Sequence, residues 1–186
     1  MSDLTEAKEH PFRLNPVNKK ISVEQTLNLR HSVLWPDKPI SYVRLPEDDA
    51  GHHYGAFLSP NDTTPIAVLS VFLEALPTLD DDPAFHDLAS ATVPAARFRK
   101  FACDPTWQGQ GVGTVLLRDA FDAARLELGC RVTWCDARLA TKAWYERRGM
   151  RSFGSTFFKD VYIEMDDGDR VFMERTCAYG SPRPTK

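Results

Sequence analysis

Arg97-Phe98-Arg99-Lys100-Phe101-Ala102-Cys103-Asp104-Pro105-Thr106-Trp107-Gln108-Gly109-Gln110-Gly111-Val112-Gly113 is the stretch on which the reading turns. Residues 97–103 read as a β-strand, and Asp104-Pro105-Thr106 turns the chain. Beyond the glycines, Val112, Leu116, Ala120 and Ala123 recur at helical spacing, which predicts a helix over about 112–128 stopped by Gly129. A helix start leaves about four amides without intrahelical partners and carries roughly half a positive charge. Glycines at 109, 111 and 113 let the backbone come close to a ligand. Strand, glycine loop and helix together make an anion cradle. Arg118 lies a turn and a half inside the helix, so amides rather than side chains would hold the anion.

Two phosphate motifs are excluded by spacing. A dinucleotide fold needs G-x-G-x-x-G, and Thr114 stands where the third glycine would be. A P-loop needs Gly-Lys, and no Gly-Lys occurs. A nicotinamide-dependent oxidoreductase is disfavoured accordingly.

Working outward, 17–21 reads as a short strand. Ser22-Val23-Glu24-Gln25 reads as a capping box opening a helix over about 23–34, closed by Pro36 and Pro39. His52–Leu58 and Ile66–Leu73 are predicted strands around a turn-rich joint. Residues 77–94, with Asp80-Asp81-Asp82-Pro83, are expected to be an inserted surface loop. Val132–Asp136 is the next strand, and a helix over about 139–148 ends at Gly149. Phe157–Met165 and Arg170–Thr176 flank Asp166-Asp167-Gly168-Asp169, a hairpin signal. The order β-α-loop-β-β-β-α-β-α-β-β predicts a mixed α/β (α+β) domain with helices on both faces of one sheet. The expected boundaries are a tail over 1–11, one domain over 12–176 and a tail over 177–186.

The chain has 186 residues, 42% hydrophobic and 26% charged, enough for one domain with a substantial core. No apolar run approaches the roughly 20 residues of a spanning helix, and residues 1–12 carry no signal-peptide pattern. No membrane partner and a cytoplasmic location, with the nucleus also open, are expected. Lys plus Arg is 23 and Asp plus Glu is 26, a net charge of −3 that gives no support to a nucleic-acid partner. The four cysteines form no CxxC and the five histidines no HxxxH or HExxH, so no metal is expected.

Gln108-x-x-Gly111-x-Gly113 resembles the Q/R-x-x-G-x-G/A motif of the GCN5-related N-acetyltransferases (GNAT). Ala143-Trp144-Tyr145-Glu146-Arg147-Arg148-Gly149-Met150 resembles that family's second signature, F-Y-x-x-x-G-F. Leu29-Arg30-His31-Ser32-Val33-Leu34-Trp35-Pro36, His53-Tyr54-Gly55-Ala56-Phe57 and Cys135-Asp136-Ala137-Arg138-Leu139-Ala140 resemble an ElaA-like branch. The matches run over about 17–176. Two positions depart from the pattern: Arg138 and Asp136 stand where asparagines are usual.

The resemblance implies a GNAT fold, a mostly antiparallel mixed sheet of six to seven strands splayed between the fourth and fifth. It implies an acetyl-CoA-dependent N-acetyltransferase acting in a ternary complex on a small-molecule or peptide primary amine. The cofactor would lie between 97–103 and 132–136. Amides from Gln108 through Gly109, Gln110, Gly111, Val112 and Gly113 to Thr114 would take its pyrophosphate. Backbone donors near Phe101, Ala102 and Cys103 would face the thioester carbonyl, and Asp136 and Arg138 would flank the arm. Tyr145 is the expected general acid, its neutral hydroxyl being a suitable proton donor near pH 7.

Other roles are read from the residues. Glu74 is the first candidate for general base and His53 the second. Cys103 as an acylated nucleophile would need an adjacent base, and none is local in sequence. Asp48-Asp49 and Asp80-Asp81-Asp82 could attract cationic amines, but read more simply as solvated turns. A homodimer through the last hairpin is compatible with the sequence. The alternative function is a non-catalytic acyl-CoA-binding module on the same fold.

Overall fold

Alternation along the central strands decides the layering. Ala67, Leu69 and Val71 point to one face and Val68 and Ser70 to the other, and all five are buried. A strand covered on both sides reads as a continuous apolar run, as this one does. A computed structural model describes residues 14–77, 93–160 and 170–179, with backbone alone for 154–160 and 170–179. The strands are β1 (Val17–Ile21), β2 (His52–Phe57), β3 (Ala67–Leu73), β4 (Ala95–Cys103), β5 (Val132–Arg138), β6 (Arg151–Asp160) and β7 (Arg170–Tyr179). Their order in the sheet is β1-β2-β3-β4-β5-β7-β6, antiparallel throughout except for β4 beside β5.

Helix α1 (Val23–Leu29) continues as a π-turn over Arg30–Leu34 and covers one face. The Ser22 amide donates to Gln25 Oε1 at 3.1 Å, one half of the expected capping box. Helix α2 (Val112–Leu126) covers the other face, burying Val112, Leu116, Leu117, Ala120 and Ala124 against Tyr54, Leu69 and Phe98. Helix α3 (Lys142–Glu146) packs beside it through Tyr145.

The parallel pair holds only over Ala95–Arg97 against Val132–Trp134, after which β4 and β5 diverge. β5 stays paired with β7 along its whole length, so the divergence opens a gap on its β4 side. A bulge lies in β4 at the start of the gap: Val68 opposes Ala102 while Ser70 opposes Arg99, and Lys100 has φ +53°.

Several boundaries shift. β4 starts two residues before Arg97, because Ala95 and Ala96 provide its pairing with β5. The third predicted helix is shorter: 139–141 is a 3₁₀ turn whose Thr141 hydroxyl donates to the Arg138 carbonyl at 2.8 Å, a local bond that competes with the α-ladder. β6 begins at Arg151, six residues before Phe157, and β7 continues to Tyr179, three residues into the expected tail. Tyr179 pairs with Val132 and Cys177 with Trp134, so these residues line the start of β5. The turn 166–169, most of the 77–94 insertion and the tail over 1–11 lie outside the described residues. No described helix is long and apolar enough to cross a membrane.

Candidate active site

The loop between β4 and α2 turns on glycines and leaves backbone amides without backbone partners among the described residues. Gly109 and Gly111 have φ of +76° and +89°, conformations in which a side chain would be strained, and a Cβ there would meet nothing within 4 Å. At Gly113 the reason is space: a Cβ would lie 3.2 Å from the Phe101 ring. The amides of Gly109, Gln110, Gly111, Val112 and Gly113 donate to no backbone carbonyl among the described residues. Gln108 anchors the loop through its side chain, Nε2 donating to the Cys103 carbonyl at 2.9 Å.

A groove of about 1270 Å³ runs along this loop between the end of β4, the start of α2 and α3. Phe101, Cys103, Gln108, Gly109, Gln110, Gly111, Gly113, Thr114 and Tyr145 line it, all singled out from the sequence. Ala102 and Val112 are buried instead, Ala102 against the α1 face and Val112 under α2, leaving Val112 only its amide to offer. The Asp104 amide donates to Ile66 of β3 at 2.9 Å. By strand alternation the amides of Phe101 and Cys103 turn the other way, into the gap.

Tyr145 stands at the inner end of the groove, 8% exposed. Trp144 meets it edge-on at 5.0 Å and Phe98 at 5.8 Å. Burial, reinforced by the neighbouring Cys135, pushes its hydroxyl well above the usual phenol range, so it is protonated at neutral pH. Burial and the adjacent Asp104 push the Cys103 thiol up to about 11, which leaves it a poor nucleophile.

Other expected residues lie on the opposite face of the sheet. Arg97 of β4 donates to Glu74 Oε1 at 2.9 Å, pairs with Asp136 and covers the Trp134 ring at 4.6 Å. Glu74 and Asp136 therefore sit across one guanidinium, away from the groove wall. Arg99 pairs with Glu47, and Lys100 lies over the Trp35 ring at 3.7 Å. Arg138 is exposed at the end of β5 and does not line the groove. Among the described residues no cluster of three His, Cys, Asp or Glu could hold a metal.

His53 cannot act as a free base. Its Nδ1 is 2.7 Å from Ser70 Oγ and its Nε2 is 2.9 Å from the Asp48 carbonyl. It belongs to a buried network in which Arg30 makes a bidentate pair with Asp48, at 2.7 and 3.0 Å, and donates to Ser70 at 2.7 Å. Burial raises the Asp48 carboxyl, but hydrogen bonds from Arg30 and the Leu45 amide outweigh it and hold Asp48 below its ordinary value. Asp48 is thus a buried structural charge rather than a solvated turn residue.

The sequence profile described as the Acetyltransferase (GNAT) family matches residues 21–150. The chain belongs to the GNAT acetyltransferase family. YitI of Bacillus subtilis strain 168, described as an uncharacterized N-acetyltransferase, is 30% identical over 141 residues, covering 75% of this chain and 85% of that protein. The solved IAA acetyltransferase from Bacillus cereus ATCC 14579 superposes with TM-score 0.60 at 21% identity, over 89% of this chain and 99% of the other. Escherichia coli ElaA superposes with TM-score 0.58 at 12% identity, over 88% and 99%. The mixed, splayed sheet of this GNAT member is the fold those two structures share.

Trp144, expected as a core or pocket-wall aromatic, lines the groove; Trp107, Val115, Thr141 and Arg148, together with Leu14 and Arg118, were not singled out as groove residues. Arg148 was legible in principle, since it follows Trp144 by four positions where the helix carrying Tyr145 gives way to a turn.

Proposed function

We propose that this GNAT member transfers an acetyl group from acetyl-CoA to a primary amine by direct attack in a ternary complex. The observation that carries the reading is the single groove joining unpaired loop amides, gap-facing amides at Phe101 and Cys103, and a protonated Tyr145. A diphosphate fits the loop, and a thiol-bearing arm fits the gap where β4 lacks a strand partner. The amine would approach from the face carrying Glu47, Glu74, Arg97 and Arg99. Its nitrogen attacks the thioester carbonyl, and the amides of Phe101 and Cys103 stabilise the developing oxyanion. Losing one such donor costs about 3 kcal/mol of transition-state stabilisation. Tyr145 then protonates the departing thiolate. Glu74, the more exposed of the two carboxylates across Arg97, would receive the amine's proton through water, since it lies outside the groove.

The deciding experiment incubates the protein with acetyl-CoA, longer acyl-CoAs and a panel of amines and peptides, reading free thiol and acylated amine. Thiol release that depends on an added amine supports transfer. Saturable acyl-CoA binding without turnover on any amine favours the non-catalytic module, and absence of binding refutes both.

A further inference from the structure

We propose that Arg148, Thr114 and Trp144 form a built diphosphate clamp, so that a side-chain cation carried by the turn after α3 completes the amide cradle. Arg148 Nε and Nη2 donate to Thr114 Oγ1 at 2.9 and 2.6 Å, and Nη1 donates to the Trp144 carbonyl at 2.6 Å. Its guanidinium lies flat against the Trp144 ring, 3.5 Å from the centroid. These contacts use three of the five guanidinium N–H groups and fix the plane of the fork. Among the described residues Arg148 has no carboxylate partner, although it is half-buried and lines the groove. Burial and the neighbouring Arg147 hold its pKa below the usual arginine value.

The position selects the ligand. Thr114 lies in the first turn of α2, directly after the Gly109–Gly113 amides, so the two remaining N–H groups face the same end of the groove as those amides. Thr114 Oγ1 accepts from Arg148, which leaves its hydroxyl proton to point outward as a further donor. Amides, hydroxyl and fork together suit a diphosphate, whose charge is spread over two adjacent groups. Arg118 also lines the groove, but it is exposed and paired with Asp119, and it is not one of the clamp residues.

The inference rests on the acyl-CoA reading above, and its test separates the two. Arg148→Met keeps an unbranched stem against Trp144, and Arg148→Lys keeps the charge without the fork. Each is assayed with acetyl-CoA, 3′-dephospho-acetyl-CoA and S-acetyl-pantetheine, which lacks phosphates. The clamp predicts that R148M weakens both phosphorylated thioesters about tenfold, the loss of one charge-assisted interaction. The preference over S-acetyl-pantetheine then shrinks by the same factor, with R148K intermediate. Sensitivity confined to acetyl-CoA would place Arg148 on the 3′-phosphate and overturn the proposal. Equal loss on all three thioesters would make Arg148 a structural tie between α2 and the turn after α3, and also overturn the proposal. Should the wild type accept no thioester, the acyl-CoA reading fails by itself. Inorganic diphosphate then decides the clamp: it must raise the wild-type melting temperature more than that of R148M.

Discussion

At the residue scale, Tyr145 and Gly111 carry separable predictions. Tyr145→Phe removes a hydroxyl but keeps the ring contacts with Trp144 and Phe98. Its kcat should fall by about 100-fold or more, in line with loss of a general acid, with little change in the KM for acetyl-CoA. A mutant as fast as wild type would remove Tyr145 from the mechanism. Gly111→Ala forces a side chain into φ +89°, costing about 1–2 kcal/mol. The loop should relax away from its cradle shape, and calorimetry should show weaker acetyl-CoA binding with little loss of overall fold. The glycines and Tyr145 were legible in the sequence because their constraints are local: a backbone angle and a helix signature. Arg148 was not, because its meaning depends on Thr114, 34 positions away in the chain.

At the element scale, the buried network under α1 holds the loop that follows it. Arg30 and Asp48 have fully buried side chains, so removing either strands the other's charge. Asp48→Ala should destabilise the fold by about 3–5 kcal/mol, read as a lower denaturant midpoint. An Arg30→Met, Asp48→Leu double variant should recover much of that loss, since both charges go together. Glu47 stands beside Asp48 and pairs with Arg99 at the gap, so the single variant should also raise the KM for the amine.

The same network sets a pH response. Burial, with Arg30 adding to it, lowers the His53 pKa from 6.5. The unfolded chain takes up a proton near pH 6.5 while folded His53 stays neutral, so the unfolded state binds more protons and stability falls as pH falls. The contribution is complete above about pH 6.5 and declines below it, by at most about 1.4 kcal/mol per pH unit for one group. His53→Gln should flatten the stability profile between pH 6.5 and 5; an unchanged slope would show that His53 protonates freely. In the sequence His53 looked like a possible base, since a strand histidine beside a glycine carries no sign of the three partners that enclose it.

At the scale of the whole molecule, a ligand bound in the groove bridges β4, the glycine loop, α2 and α3. Acetyl-CoA at 100 times its dissociation constant should add about 2.7 kcal/mol to apparent stability. For a chain of this size that is a rise of about 5–10 °C in melting temperature. No shift at saturating acetyl-CoA would contradict the assignment of the groove.

The order of elements, the glycine loop and both family signatures were determined by the sequence alone, because periodicity, turn chemistry and backbone angles act over a few residues. What only the tertiary structure decided is where the charges meet. It placed Glu74 and Asp136 across Arg97 on the far side of the sheet, enclosed His53 with Arg30 and Asp48, and delivered Arg148 to Thr114. Such contacts join segments remote in sequence, and they exist only where the splay of β4 from β5 and the packing of helices on both faces bring those segments together.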